Sequence, residues 1–179
     1  GDDVIIPSVS TQRDYEAGLG KSVPSVAATL AIDTANPRFG LRSAKVTTPG
    51  GATFEGISSS TSTADEVVAD VSPSTTYTLS VYLRAPIGAT LRLRATERAA
   101  NNAFVTNGTL PNITVATDEW TRYAFSWATQ PTTEFLRDFR VMTVLSAQAI
   151  DFWVDGWQLD VGSTAGPYDG GDSGDTLTI

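Results

Sequence analysis

Carboxylates, guanidiniums and aromatic rings must carry whatever chemistry this 179-residue chain does, because it holds neither histidine nor cysteine. Without imidazole it lacks the commonest general base and every nucleophilic triad built on one. Without thiols it has no disulfide framework and no thiolate metal site. Carboxylate-only catalysis is what remains. Asp151, Asp155 and Asp160 fall in one segment near the C-terminus. A glycosidase needs two carboxyls about 5–9.5 Å apart flanking the scissile bond, usually from different elements. No other segment nominates a partner, so the domain is expected not to be an enzyme.

Binding chemistry has better candidates. Tyr82, Arg84, Arg92 and Arg94 occupy alternate positions in two neighbouring runs, and read as one outward cluster on adjoining strands. Such a cluster serves either as a contact surface for a sugar or a subunit, or as a solvated face whose charges oppose aggregation. Trp153, between Phe152 and Val154, should also face outward. It is a stacking platform or is covered by the opening loop, Thr11 to Val23. Asp169, Asp172 and Asp175 recur every third residue among glycines, but the glutamate that completes an EF-hand is missing. They read as a solvated linker.

The elements that must position these groups are strands. In Thr76 to Arg84, the residues Tyr77, Leu79, Val81 and Leu83 share one face. Leu91, Leu93 and Ala95 repeat the pattern beyond the Pro86-Ile87-Gly88 turn, and the two runs read as an antiparallel hairpin. Tyr123, Phe125 and Trp127 form another inward set, followed by Phe139, Val141, Thr143 and Leu145, then Ile150, Phe152 and Val154. Shorter strands are expected at Asp3–Pro7, Ser25–Ile32 and Leu41–Thr47. Roughly ten strands separated by Gly, Pro, Asn and Asp turns, without βαβ spacing, predict an all-β, two-sheet antiparallel sandwich. Residues 1–165 form this domain, and the Gly/Asp-rich stretch 166–179 reads as a linker or docking tail.

Composition limits the partners. The net charge is −8, and no stretch of Lys and Arg is dense enough to reverse it locally, so nucleic acid and anionic membrane surfaces are not expected to bind. No apolar run approaches the ~20 residues of a membrane span, so no membrane insertion is expected. No signal peptide is expected within these residues, and a mature chain would already have lost one.

Three stretches carry a resemblance. Arg13-Asp14-Tyr15-Glu16-Ala17-Gly18-Leu19 is similar to the "asparagine, x, x, aromatic, glutamate" opening of carbohydrate-binding-module-like (galactose-binding-like) jelly rolls, with the usual asparagine before Tyr15 missing. Asn36-Pro37-Arg38-Phe39-Gly40-Leu41-Arg42-Ser43-Ala44-Lys45-Val46-Thr47 resembles its "glycine, x, x, small, leucine, lysine, valine" strand. Phe152-Trp153-Val154-Asp155-Gly156-Trp157-Gln158-Leu159-Asp160-Val161-Gly162 resembles its closing strand. Ala165-Gly166-Pro167-Tyr168-Asp169-Gly170 is similar to the exit that follows such domains in tail proteins of actinobacterial phages.

The resemblance implies a jelly roll acting as a virion structural protein, in a tail or decorating a capsid. Its partners would be other virion proteins or further copies of itself, and cell-surface polysaccharide as well. The alternative is a carbohydrate-binding module of a secreted, glycan-active protein. It also implies a structural calcium held by Glu16 and Asp155, which match the family's ligand positions; no other cofactor is expected. Read from the residues alone, Asp155-Gly156 forms a β-bulge, because Phe152 and Val154 and then Trp157 and Leu159 all read as core.

Overall fold

Alternating apolar and polar side chains favour an extended chain with one face turned to a core, and that pattern governs the whole molecule. The computed structural model describes residues 15–16, 18–19, 22–59 and 68–168. Eleven strands lie among them: β1 Val23–Ser25, β2 Thr29–Asp33, β3 Ser43–Pro49, β4 Gly56–Ser58, β5 Ala69–Asp70, β6 Thr76–Arg84, β7 Thr90–Arg98, β8 Phe104–Thr114, β9 Thr121–Ala128, β10 Phe135–Thr143 and β11 Ala149–Val161. One sheet has the order β1-β4-β10-β7-β8, with β5 also on β10, and the other β2-β3-β11-β6-β9. All these pairings are antiparallel. The expected two-sheet sandwich is the fold, and no described residue is helical.

The core lies between the sheets. Leu79, Val81 and Leu83 from β6 and Phe152 and Val154 from β11 meet Leu91 and Leu93 from β7 and Phe139 and Val141 from β10, all essentially without solvent contact. Fully burying each such side chain stabilises the fold by about 1.5–3 kcal/mol. The rings of Phe139 and Trp157 stack across the two sheets with centroids 6.1 Å apart. Tyr123, Phe125 and Trp127, on the edge strand β9, are half-buried and pack against this core. Leu145 does not join the set, because β10 ends at Thr143 and leaves Leu145 in an exposed turn.

Two elements depart from the sequence reading. The run from Ser25 to Ile32 is broken at Val26, whose φ is +58°, so β1 and β2 enter opposite sheets. More consequentially, β6 and β7 form no hairpin: β6 pairs with β11 and β9, and β7 with β10 and β8. Ala85 and Ala89 are buried at either end of the Pro86–Gly88 turn, so the turn carries the chain from one sheet to the other. The expected edge strand at Asp3–Pro7 lies outside the described residues.

The bulge expected at Asp155-Gly156 is present. Asp155 pairs with Tyr82 and Gln158 with Ser80, so three steps on β11 match two on β6. Gly156 takes φ +58°, a conformation that glycine adopts without steric cost. The extra residue lets Phe152, Val154, Trp157 and Leu159 all stay buried.

Candidate functional site

Because β6 and β7 belong to different sheets, the expected cluster is divided between two outer faces. Tyr82, Arg84 and Trp153 lie on the five-stranded sheet, whereas Arg92 and Arg94 lie on the six-stranded one.

On the five-stranded sheet, Tyr82 is built into a ring cluster. Phe39 meets it edge-on at 4.9 Å, Tyr168 lies 5.8 Å away, and Phe39 and Tyr168 stack at 4.3 Å. Arg38 and Arg122 approach the Tyr82 ring at 4.9 and 5.8 Å. The exit segment is held down as well: Arg122 Nη1 donates to the Gly166 carbonyl at 2.6 Å, and Gln158 Nε2 to that of Pro167 at 3.1 Å. Residues 166–168, assigned by sequence to the tail, therefore pack on the sandwich; residues 169–179 lie outside the described residues.

Trp153 faces outward, as its alternation requires. It sits in register between Lys45 and Arg84, whose charged groups lie 5.6 and 5.3 Å from its ring. Its indole N–H donates to Asp33. These partners belong to its own sheet face; much of the opening segment, Thr11 to Val23, the alternative cover expected from sequence, lies outside the described residues. A hollow of about 780 Å³ lies here, lined by Trp153, Arg84, Thr47 and Asp151 among others. Its polar groups already answer one another. Lys45 pairs with Asp151 at 2.7 Å, Thr47 donates to Asp151 at 2.6 Å, and Arg84 Nε donates to the Asp118 carbonyl at 3.0 Å.

The outer face of the six-stranded sheet is chemically different. Two smaller hollows, about 200 and 240 Å³, share Arg94 and Asn107 and form one cleft along β7, β8 and β10. Arg92, Arg94, Arg98, Arg137 and Arg140 line it, with Asp138 as the one carboxylate in the lining. A bulge in β10 between Leu136 and Phe139 puts Arg137 and Asp138 in succession between two core residues. Asp138 Oδ2 lies 2.6 Å from Arg140 Nε and 3.9 Å from Arg94 Nη2. Burial holds the Arg94 guanidinium below its ordinary value, Arg140 adds to the shift, and Asp138 opposes it. Arg92 Nε donates to Asn112 Oδ1 at 2.8 Å, and Arg98 Nη1 to the Asn102 carbonyl at 3.3 Å. The hollow beside Trp153 has the greater volume, but the cleft gathers more guanidiniums, five beside the single lining carboxylate Asp138, and polar donors set recognition.

Aromatic rings mark both ends of the cleft. Phe104 is exposed beside Arg98, whose guanidinium lies 5.5 Å from the ring. Phe54 lines the other end, half-exposed, with φ +65°. A phenylalanine in the left-handed region costs about 1–2 kcal/mol, so the surroundings must impose it. They do so through hydrogen bonds. Phe54 N–H donates to the Thr143 carbonyl at 2.9 Å, and its own carbonyl accepts from Ser25 Oγ at 3.1 Å. Next to it, the buried Glu55 carboxylate accepts the N–H groups of Gly50, Gly51 and Ala52 at 2.8, 3.2 and 3.1 Å. Gly56 then lets β4 lie against β10, since a Cβ there would fall 2.0 Å from the Val141 carbonyl oxygen.

Glu16 and Asp155, the expected calcium ligands, hold one loop from two sides. Glu16 Oε1 accepts the N–H groups of Leu41 and Arg42, both at 2.7 Å. Asp155 Oδ2 accepts those of Arg38 and Phe39, both at 3.1 Å, and its Oδ1 that of Gly156 at 2.8 Å. Calcium requires about 6–8 oxygen ligands, and three of these four carboxylate oxygens already face amide hydrogens. No group of three or more acidic residues is gathered for a metal among the described residues. Among the described residues this donor set, as arranged, does not fit a calcium ion, and the two carboxylates act as clamps on the loop.

The β11 carboxylates do not form a catalytic pair. Asp151 is bound to Lys45 and Thr47, Asp155 clamps the loop, and the buried Asp160 accepts from Gln158 Nε2 at 2.9 Å and from Gly166 N–H at 3.2 Å. Sequence reasoning missed Phe54, Glu55, Phe104, Arg98, Arg137, Asp138 and Arg140. One signal was present: Arg137-Asp138-Phe139-Arg140 crowds two arginines around a single core phenylalanine, a pattern that a bulge explains.

No protein-family model matches the chain, and no curated protein matches it by sequence. Solved structures do resemble it. The CBM22-2 xylan-binding domain of Paenibacillus barcinonensis Xyn10C has a TM-score of 0.63 at 14% identity, covering 84% of this chain and 98% of that one. The C-terminal family 22 carbohydrate-binding module of Clostridium thermocellum Xyn10B, known for the role of its conserved cleft amino acids in ligand binding, scores 0.60 at 15% identity, over 86% and 94% of the two chains. The enzymatically active domain of Bacteriophage CBA120 tailspike protein 4 scores 0.60 at 14% identity, but the likeness spans 88% of this chain and only 22% of that one. At these identities the likeness is one of fold, and in fold the chain is a carbohydrate-binding-module-like jelly roll.

Proposed function

We propose that this domain is a non-catalytic glycan-binding module whose ligand lies in the cleft on the outer face of the six-stranded sheet. The observation that carries the reading is Phe54, held in a strained backbone conformation at the cleft end by Ser25, Thr143 and the Glu55-capped loop. Strain of this kind persists only where the surroundings over-determine it, and it clusters at ligand clamps. An exposed ring fixed in this way gives contact area at little cost in entropy. The xylan-binding domains among the structural neighbours support the same reading. The test is affinity electrophoresis through gels containing a panel of plant and bacterial polysaccharides. At least one should retard the protein, and Phe54→Ala should remove most of that retardation while leaving the melting temperature near that of the parent. Absence of retardation by every polysaccharide would defeat the reading.

A second reading assigns the domain to a phage particle, as a tail or capsid-decorating structural protein. It draws support from the tailspike likeness and from the Gly166-Pro167-Tyr168 exit, which is packed on the sandwich through the Tyr168 ring. In this role the Trp153 face, with Lys45 and Arg84 beside the ring, serves as the contact to other virion proteins or to further copies. The two roles are compatible, because the faces are opposite. Labelling purified particles with an antibody to the domain and viewing them by electron microscopy tests it; unlabelled particles would exclude it.

A further inference from the structure

Five of the chain's twelve Lys and Arg residues line one cleft, although the chain as a whole carries a net charge of −8. Resting on the reading of that cleft as the glycan site, we infer that its ligand is an acidic polysaccharide, with uronate carboxylates seated between Arg92, Arg94 and Arg98 along β7.

Stability does not explain the arrangement. Arg94 and Arg140 stand directly opposite on β7 and β10, and like charges in that position destabilise a sheet. Asp138 serves both, but no carboxylate approaches Arg92 or Arg98 within ion-pair distance among the described residues. Asp138 therefore offsets the Arg94–Arg140 pair, but the charges of Arg92 and Arg98 meet no described carboxylate, and charge gathered beyond what the fold pairs marks a functional site.

The chemistry of the cleft selects against a neutral sugar as the main determinant. A neutral ring is bound by stacking on an aromatic floor, and here the aromatic residues Phe54 and Phe104 stand at the two ends. The floor between them is guanidinium, whose planar fork matches a carboxylate with two parallel hydrogen bonds. Alternate positions of one strand recur at about 6.5–7 Å, so Arg92 and Arg94, and Arg98 beyond Thr96, present charge at intervals along a line. A linear polymer with a carboxylate on successive or alternate residues suits that line. The acidic remainder of the surface repels the same polymer and so directs it to the cleft.

The experiment is affinity electrophoresis of the intact chain against polygalacturonate, glucuronoxylan, neutral arabinoxylan and dextran sulfate at matched concentration. The two uronate polymers should retard the protein at least tenfold more strongly than arabinoxylan. Retardation should weaken as salt rises. Arg92→Gln/Arg98→Gln, which spares the Arg94–Asp138–Arg140 group, should lose at least tenfold in uronate affinity while melting close to the parent. Equal retardation by arabinoxylan with no effect of the double variant would overturn the acidic preference and leave glycan binding intact. Dextran sulfate binding as tightly as the uronates would reduce the cleft to a general polyanion surface and sink the carboxylate assignment. Binding to none of the four defeats the inference; binding to some other neutral glycan of the wider panel would then preserve the module reading alone.

Discussion

Arg94 and Arg140 face each other in direct register across β7 and β10, and the single carboxylate Asp138 lies against both, 3.9 and 2.6 Å from their nearest nitrogens. Asp138 is almost fully buried between them. Its charge holds two guanidiniums together that would otherwise repel.

Asp138→Asn should therefore destabilise the fold by roughly 3 kcal/mol, the lower end of the cost of leaving partly buried charges uncompensated. Chemical denaturation measures it. Added salt should recover part of the loss, since it screens the repulsion left behind. A variant as stable as the parent at low salt would show that the two arginines relax apart without cost.

Gly156→Ala tests the bulge. Its Cβ would meet Phe39 Cε2 at 2.9 Å, Tyr82 Cδ2 at 3.0 Å and Tyr168 Cζ at 3.1 Å, at a φ of +58°. The backbone alone costs about 1–2 kcal/mol, and a loss of about 2 kcal/mol lowers Tm by roughly 4–8 °C in a domain of this size. Adding Tyr168→Ala frees space beside the new methyl group, so the double variant should lose less than the two single losses combined. Strict additivity would mean that the exit segment does not press on the bulge.

Chelation decides between clamp and metal site at Glu16 and Asp155. Carboxylates engaged by backbone amides need no ion, so excess chelator should leave the melting curve unchanged. An ion bound only to the folded state would instead stabilise it by mass action. A Tm that falls with chelator and returns with calcium would restore a metal to this loop. Asp155→Ala should destabilise by about 1–3 kcal/mol in either case, because three amides lose their acceptor.

Acid stability should carry a small signature of Asp151. Hydrogen bonds from Lys45 and then Thr47 hold its carboxyl below the ordinary 3.8. A depressed carboxylate contributes stability above the ordinary value and loses it as pH falls through the lower, folded value. The side chain is 39% exposed, so solvent screening limits the contribution to about 1 kcal/mol or less. Asp151→Asn should melt slightly below the parent at neutral pH, with the gap closing in strong acid. A gap that persists there would trace to the lost geometry rather than to charge.

Some of this molecule was legible in its sequence, and the reason is periodicity. Alternation names the face of each side chain, so Leu79, Val81 and Leu83 were readable as core and Trp153 as outward. The break in alternation at Asp155-Gly156 was readable as a bulge, because both flanking sets had to stay buried. Missing histidine and cysteine bounded the chemistry before any coordinate was known. Alternation does not name a strand's partner, since strands pair through backbone N–H and C=O groups that nearly every residue carries. The turn at Pro86–Gly88 serves a hairpin or a crossing equally well, and only packing of both sheets on one core decided that β6 and β7 separate. That choice divided Tyr82 and Arg84 from Arg92 and Arg94. It also brought Arg137 and Arg140, some forty residues further along the chain, into the same cleft as Arg92 and Arg94.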